Sequence, residues 1–245
     1  MAKPKFLYDN RFADATPVAS STETGDFNVL NLRDWRPYTW WKPTAIPATV
    51  TVDSGSARAR DYMLVYGEAG VYEARGSTDN FGASNVLLGT LTLTETGLGL
   101  VTFNSASHRY TRLTLPSGSP RAVAICAIGA ALVSPVYLEG QFDPIYRRVH
   151  GQSNRNENGH PLGRAVYFEE WSAQITLRDV SWTWARDSFI PAWKTHLRGS
   201  PFGFVWDSDL YPGDVRLVQA GDRFRGPHRA GSFADIDIEL EGVAP

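Results

Sequence analysis

Ala48-Thr-Val-Thr-Val-Asp-Ser-Gly55 sets Val50 and Val52 on one side of an extended chain and Thr49, Thr51 and Asp53 on the other. That period of two marks a strand with one buried face and one wet face. Turn residues recur at short intervals around it, at Asp53-Ser-Gly55, Gly67-Glu-Ala-Gly70, Asp79-Asn80, Gly82, Thr96-Gly97 and Pro116-Ser-Gly-Ser-Pro120. The runs between them are rich in Val, Thr, Leu and Tyr, which suit a pleated surface, while Gly, Asn and Asp accept the backbone angles of tight turns. Short strands at this spacing predict an antiparallel sandwich.

The second half carries the same signature with one interruption. Tyr167-Phe-Glu-Glu-Trp-Ser-Ala-Gln-Ile-Thr-Leu177 reads as a strand with Trp171, Ala173, Ile175 and Leu177 on its inner face. Further strands are expected around Phe202-Gly-Phe-Val-Trp206 and Asp214-Val-Arg-Leu-Val218. In the last one, Phe233 to Gly242, Ile236, Ile238 and Leu240 face in and Asp235, Asp237 and Glu239 face out. The interruption is a helix over Asp187 to Gly199, with Asp187 or Ser188 as its cap, Phe189, Trp193 and Leu197 on one face, and Pro191 confined to the first turn. The polar stretch His150-Gly-Gln-Ser-Asn-Arg-Asn-Glu-Asn-Gly-His160 has too few apolar residues to pack and is read as a long exposed loop.

The chain has 245 residues, and at about 150 residues per domain two domains are favoured over one. A net charge of -2 with 42% hydrophobic and 20% charged residues pushes the chain neither toward disorder nor toward a nucleic-acid partner held by bulk charge. The single cysteine, Cys126, lies in the apolar run Ala122-Val-Ala-Ile-Cys-Ala-Ile128, so no disulfide forms within the chain. The start of the chain lacks a signal-type apolar run, and no segment approaches the roughly 20 apolar residues of a membrane span. The expectation is a protein made and kept in the cytoplasm until it is assembled. Eight Trp residues are either large core fillers or anchors for a partner.

Searching for chemistry gives little. There is no Gly-x-Ser-x-Gly elbow, no His-Glu-x-x-His, no Walker loop and no dinucleotide fingerprint. His108, His196 and His228 are scattered, and only His150 and His160 share a segment. Asp207, Asp209 and Asp214 surround a turn, but Tyr211 stands where a calcium loop needs an oxygen ligand, so a plain turn is preferred. Glu169 and Glu170 are neighbours on a strand and point to opposite faces, which is poor geometry for paired acid and base work. No catalytic residue, metal or cofactor is expected. Trp40 and Trp41, with Arg36 beside them, form the one segment suited to stacking on a sugar ring and hydrogen-bonding its hydroxyls, unless one of the two indoles is buried beneath the loop.

In chain order, Asn28-Val-Leu-Asn-Leu-Arg-Asp-Trp35, Trp40-Trp41, the strand ending at Gly55, Tyr62-Met-Leu-Val-Tyr66, the turn Ser77-Thr-Asp-Asn-Phe81 and His108-Arg-Tyr-Thr-Arg-Leu-Thr-Leu115 resemble the galactose-binding-like, or discoidin-type, β-sandwich. That resemblance implies a binding or assembly module with ligand loops at one end, which places Trp40, Trp41 and Arg36 there as glycan contacts. The second half, a strand, a long loop, a Trp-bearing strand, a helix and the closing strand, resembles the tail-tube-derived β domain of distal-tail and tail-tip proteins of long-tailed bacteriophages. Two all-β domains follow, a jelly roll over 1–132 and a tail-tube-like sandwich with one helix over 133–245. The combination implies a structural protein of a phage tail tip or baseplate that forms a ring with copies of itself and contacts other tail proteins. His150, Asn154, Arg155, Asn156 and His160 would then form the assembly loop. A carbohydrate-binding module for cell-surface glycan is the alternative.

Overall fold

A computed structural model describes residues 3–138, 142–144, 146–221, 224–226 and 231–243. His228 lies outside the described residues. The fold is all-β apart from one long helical run and short 3-10 turns. Its strands are β1 (Lys5–Leu7), β2 (Val18–Ala19), β3 (Ala48–Gly67), β4 (Gly70–Ser77), β5 (Val86–Leu93), β6 (Gly97–Leu115), β7 (Val123–Gly129), β8 (Leu132–Val133), β9 (Arg148–Arg155), β10 (Pro161–Ser181), β11 (Phe202–Val205), β12 (Arg216–Ala220) and β13 (Phe233–Val243). They pack into two units, one of Met1–Val133 with Phe202–Val215 and one of Ser134–Pro201 with Arg216–Pro245.

The first unit is built on β3 and β6, paired antiparallel from Ala48↔Leu115 to Gly67↔Gly97. Their two ends take different neighbours. β2 adds to the start of β3, and β4 adds to Tyr110–Thr114 of β6 with β5 beyond it. β7 instead adds to Tyr62–Gly67 of β3. Register shifts between Asp53 and Arg58 and between Arg60 and Tyr62 bend the pair, because an extra residue kinks a strand and increases its twist. The ribbon therefore contributes to two facing layers. Val50, Ala74, Leu113 and Leu115 of one layer meet Met63, Val65, Cys126 and Ile128 of the other in a single buried cluster, which Phe12, Leu32 and Trp41 also join. Val50 and Val52, the inner pair of the opening stretch, are 0% and 1% exposed.

The reverse side of the second layer is also covered, since Tyr62, Leu64, Ala124, Ile125 and Ala127 are buried. β1 pairs with β8 and with β11. At Gly203 an added Cβ would lie 2.8 Å from Leu64 and 3.1 Å from Leu7, so β11 packs directly on this unit. At Gly129 an added Cβ would come within 1.9 Å of the Asp9 carbonyl oxygen, a backbone approach open only to glycine. Asn10 donates to the Cys126 carbonyl at 3.1 Å, and burial pushes the Cys126 thiol pKa up.

The second unit contains the antiparallel order β12, β13, β10, β9. Ala173↔Leu240, Ile175↔Ile238 and Leu177↔Ile236 stand opposite one another, and Trp171, Ile175, Leu177, Ile236, Ile238 and Leu240 are buried as the alternation requires. The helical run occupies 182–197, beginning five residues before Asp187, so Asp187 is interior rather than a cap. Pro191 consequently falls in mid-run. Proline has no N–H and crowds the carbonyl four residues earlier. Wide turns at Ala185–Phe189 and Trp193–Leu197 flank it, and the Ile190 N–H reaches back to the Ala185 carbonyl. Phe189, Trp193 and Leu197 are buried, and Phe224 meets Phe189 and Trp193 edge-on at 5.3 and 4.9 Å.

Candidate functional site

The segment between Asn28 and Pro43 is fixed by its own polar side chains. Asn28 caps the 3-10 turn Val29–Arg33, and Asp34 accepts from the Arg36 N–H at 2.9 Å and from the Thr39 hydroxyl at 2.8 Å. Asn31 donates to the Trp40 carbonyl at 2.8 Å. Trp41 is a correction to the sequence reading. It is wholly buried, its backbone bridges Val123 in both directions at 2.8 Å, and its indole N–H donates to Thr22 at 3.2 Å. A ring so enclosed has no face to offer a sugar. Trp40 is half-buried against Tyr66, 5.9 Å between ring centres, and Arg36 is exposed. The side chain that sequence reasoning passed over here is Tyr38, 72% exposed on the same loop. Its position two residues from Arg36 and two from Trp40 was the available signal.

The stretch His150 to His160 is also corrected. It is mostly strand: β9 and β10 form a hairpin whose turn is Asn156–His160. The Asn156 side chain accepts from the N–H groups of Asn158 and His160 at 3.1 and 2.8 Å, and Gly159 takes the left-handed conformation that closes the turn. Backbone pairing supplies the order that side-chain burial does not. Asn154 and Arg155 lie on the strand, Asn156 and His160 in the turn, and His150 sits well back from the tip. The His150 ring stacks on Phe168 at 4.5 Å and meets Glu170 at 2.5 Å. Residues 151–169 are exposed throughout, including Leu162 at 68%, Val166, Tyr167 at 65% and Phe168. β13 pairs only with Glu170–Ser181 of β10, so among the described residues the outer part of β10 has β9 as its sole neighbour and β9 forms the edge of the sheet.

A third region was missed altogether, the outer face of β3, β6 and β4. Cross-strand pairing brings Thr51 to Arg112 and then to Arg75, and Asp53 to Tyr110 and then to Ser77. Arg112 lies on the Phe81 ring at 3.7 Å and donates through Nε to the Thr51 hydroxyl at 2.8 Å. Burial and the nearby Arg75 lower its pKa. Arg75 is engaged with Glu73 at 2.8 Å and Asn85 at 3.0 Å. Asp53 binds Arg109 in a two-pronged pair at 2.8 and 2.7 Å, which, with the Gly55 N–H, holds its pKa down to about 2. The loop carrying Phe81 is organised by Asp79, whose carboxylate accepts from Ala83 and Ser84 N–H groups and the Ser77 hydroxyl. Those bonds lower the Asp79 pKa. The outward residues Thr49, Thr51 and Asp53 were visible in the alternation, but nothing local in the sequence showed that Arg112 would lie beside them.

The remaining polar candidates have local partners. Asp207 caps its own turn by accepting from Asp209 and Leu210 N–H groups at 3.1 Å, and Asp214 accepts from Trp206 at 3.2 Å. Among the described residues no three His, Cys, Asp or Glu side chains gather as a metal would need, and no helix is long and apolar enough to cross a membrane.

No protein-family model and no curated protein sequence matches the chain. Solved structures do. A chitosan-binding module from a chitosanase/glucanase of Paenibacillus sp. IK-5 aligns at 20% identity and a TM-score of 0.43, over 49% of this chain and 97% of that one. The family 32 carbohydrate-binding module of NanJ from C. perfringens, solved with galactose, aligns at 18% identity and 0.42, over 51% and 98%. The likeness extends over about half of the chain and assigns no ligand to it.

Proposed function

We propose that the chain is a structural attachment protein without catalysis, which joins copies of itself through the β9–β10 hairpin and presents its sandwich unit to carbohydrate. The observation that carries this reading is the hairpin itself. A two-stranded ribbon is marginal in water on its own, and exposed apolar side chains on an open strand edge favour pairing with another chain. Leu162, Val166, Tyr167 and Phe168 supply the apolar surface, and β9 supplies the edge. A near-neutral charge lets identical subunits approach closely, and a ring is the closed form such head-to-tail contact takes. The tail tip or baseplate of a long-tailed phage, with other tail proteins as neighbours and the host cytoplasm as the place of assembly, is the setting that the sequence resemblance of the second half implies. The mass of the full chain in solution tests this, and Val166→Ser with Phe168→Ser should return any assembly to single chains.

The carbohydrate half is favoured by a separate observation, the loop that holds exposed Tyr38 and Arg36 beside half-buried Trp40. Aromatic rings next to a guanidinium are the groups that stack on and hydrogen-bond a sugar. Binding of a cell-surface glycan panel by the full chain, lost in Trp40→Ala, is the expected result. No binding to any glycan would remove this half and leave the assembly half standing.

A further inference from the structure

On the first unit a shallow depression is lined by Thr16, Val18, Ser20, Thr49, Thr51, Asp53, Asn80, Tyr110 and Arg112, among others, at a distance in sequence from the Arg36–Trp40 loop. We propose that this depression binds the carboxylate of an acidic sugar, a uronic acid, and that Arg112 grips it. The inference goes beyond the proposed function: it assigns a second carbohydrate site to the same unit, lined by none of Arg36, Tyr38 and Trp40.

Arg112 is prepared for such a ligand. Its guanidinium is held flat by the Phe81 ring and fixed in rotation by the bond from Nε to Thr51, yet neither terminal nitrogen bonds another described residue. What is left is a planar fork with two parallel donors, the geometry that takes a carboxylate through both oxygens. Among the described residues no acidic side chain pairs with it: Glu73 is engaged by Arg75, and Asp53 by Arg109. Burial and the like charge of Arg75 both disfavour the bare cation, so an incoming anion relieves a cost already present in the free protein.

The rim indicates a sugar acid rather than a small anion. Hydroxyls of Ser20, Thr49 and Thr51 border the depression, and the Asn80 amide, which hydrogen-bonds no other described residue, stands at its edge. Ser20 and Thr51 accept from the Thr49 N–H and from Arg112, which orients both hydroxyls as donors to a ligand. One fixed cation beside hydroxyl and amide groups, with the Asp53 carboxylate of the rim already paired to Arg109, matches one carboxylate on a polyhydroxylated ring. Phosphate, with more charge, would call for a second unpaired cation.

The test is calorimetric titration of the full chain with tetragalacturonate and with neutral cellotetraose, at low and at physiological salt. Tetragalacturonate should bind at least tenfold more tightly than cellotetraose, with affinity that falls as salt rises. Arg112→Gln should weaken it at least tenfold, and Arg112→Lys, which keeps the charge but loses the fork, should weaken it less. Unchanged uronate affinity in Arg112→Gln would overturn the inference while leaving carbohydrate binding intact, and so would equal affinity for acetate. If neither sugar binds, the inference falls, while the carbohydrate reading of the Arg36–Trp40 loop still stands or falls on the glycan panel. Should Arg112→Gln fail to fold, Asn80→Gly decides: glycine accepts the left-handed backbone at that position, φ 58°, and removes only the amide. A severalfold loss supports the site, and no loss overturns it.

Discussion

The ribbon β3–β6 and the ribbon β9–β10 are both long antiparallel pairs broken by register shifts, yet one is the centre of a core and the other stands in solvent. In β3 the two stretches on either side of the bent, exposed Gly55–Ala59 bury Val50 and Val52 and then Met63, Leu64 and Val65. In the outer part of β9–β10 the backbone ladder runs on through its register shifts, but among the described residues only the His150 ring, stacked on Phe168, lies over the apolar side chains, and Leu162, Val166, Tyr167 and Phe168 all stay exposed. Hydrogen bonding alone makes a ribbon, whereas burial makes it stable, since each backbone bond merely replaces one to water. The two ribbons should therefore respond to substitution in opposite ways.

The largest difference is expected at Trp41, whose ring is wholly enclosed in the first unit. Trp41→Ala should cost about 3–5 kcal/mol of unfolding free energy in urea, through lost transfer energy and the cavity left behind. A cost below about 1 kcal/mol would mean that the ring is not a core anchor.

Next in size is the contrast drawn by Val166→Ser with Phe168→Ser on the exposed ribbon. Self-association by sedimentation should weaken at least tenfold, while the unfolding free energy in urea stays within about 0.5 kcal/mol of the parent for each substitution, as for ordinary surface substitutions. A loss as large as that of Trp41→Ala would place these side chains in a core and break the comparison.

Smaller still is the effect of Asn156→Ala, which removes the acceptor for two turn N–H groups. Amides of β9 should exchange about fivefold faster, corresponding to about 1 kcal/mol of local opening, with the amides of β3 and β6 unaffected. Equal acceleration in both ribbons would show that they open as one.

The smallest effect concerns the rim of the core ribbon, at Asp53 and Arg109. The folded pKa of Asp53, about 2, lies below its ordinary value of 3.8. The contribution of this exposed pair is thus present above pH 4 and is lost as the pH falls toward 2. Titration of the Asp53 carboxyl by NMR should show that low midpoint, and Arg109→Gln should move it upward; a midpoint near 4 in the parent protein would remove the pair.

How much of this could be read in the sequence follows from the same contrast. Alternating patterns next to a core were legible, as Val50 and Val52, the Trp171 to Leu177 face and the Ile236 to Leu240 face demonstrate, because burial imposes the period. The helical face of Phe189, Trp193 and Leu197 was legible for that reason too. Its start was not, since a proline at 191 argued for a first turn and only the wide turns on either side made a mid-run position tolerable. The hairpin was mistaken for a loop because β9, from Arg148 to Arg155, buries no face and so has no apolar period to display. Trp41 could not be told from Trp40 by composition, as the difference lies in a bridge to Val123, far away in sequence. Arg112 and Thr51 are separated similarly, and only strand pairing brings them together.

The most direct measurement is the light-scattering mass of the full chain as a function of concentration, set beside the Val166→Ser, Phe168→Ser variant. The expected result is a mass that rises from 27.1 kDa to a fixed multiple of it for the parent chain, with the variant held at the mass of one chain. A parent chain that stays at 27.1 kDa throughout, or a variant that assembles equally well, would contradict the assembly role of the ribbon.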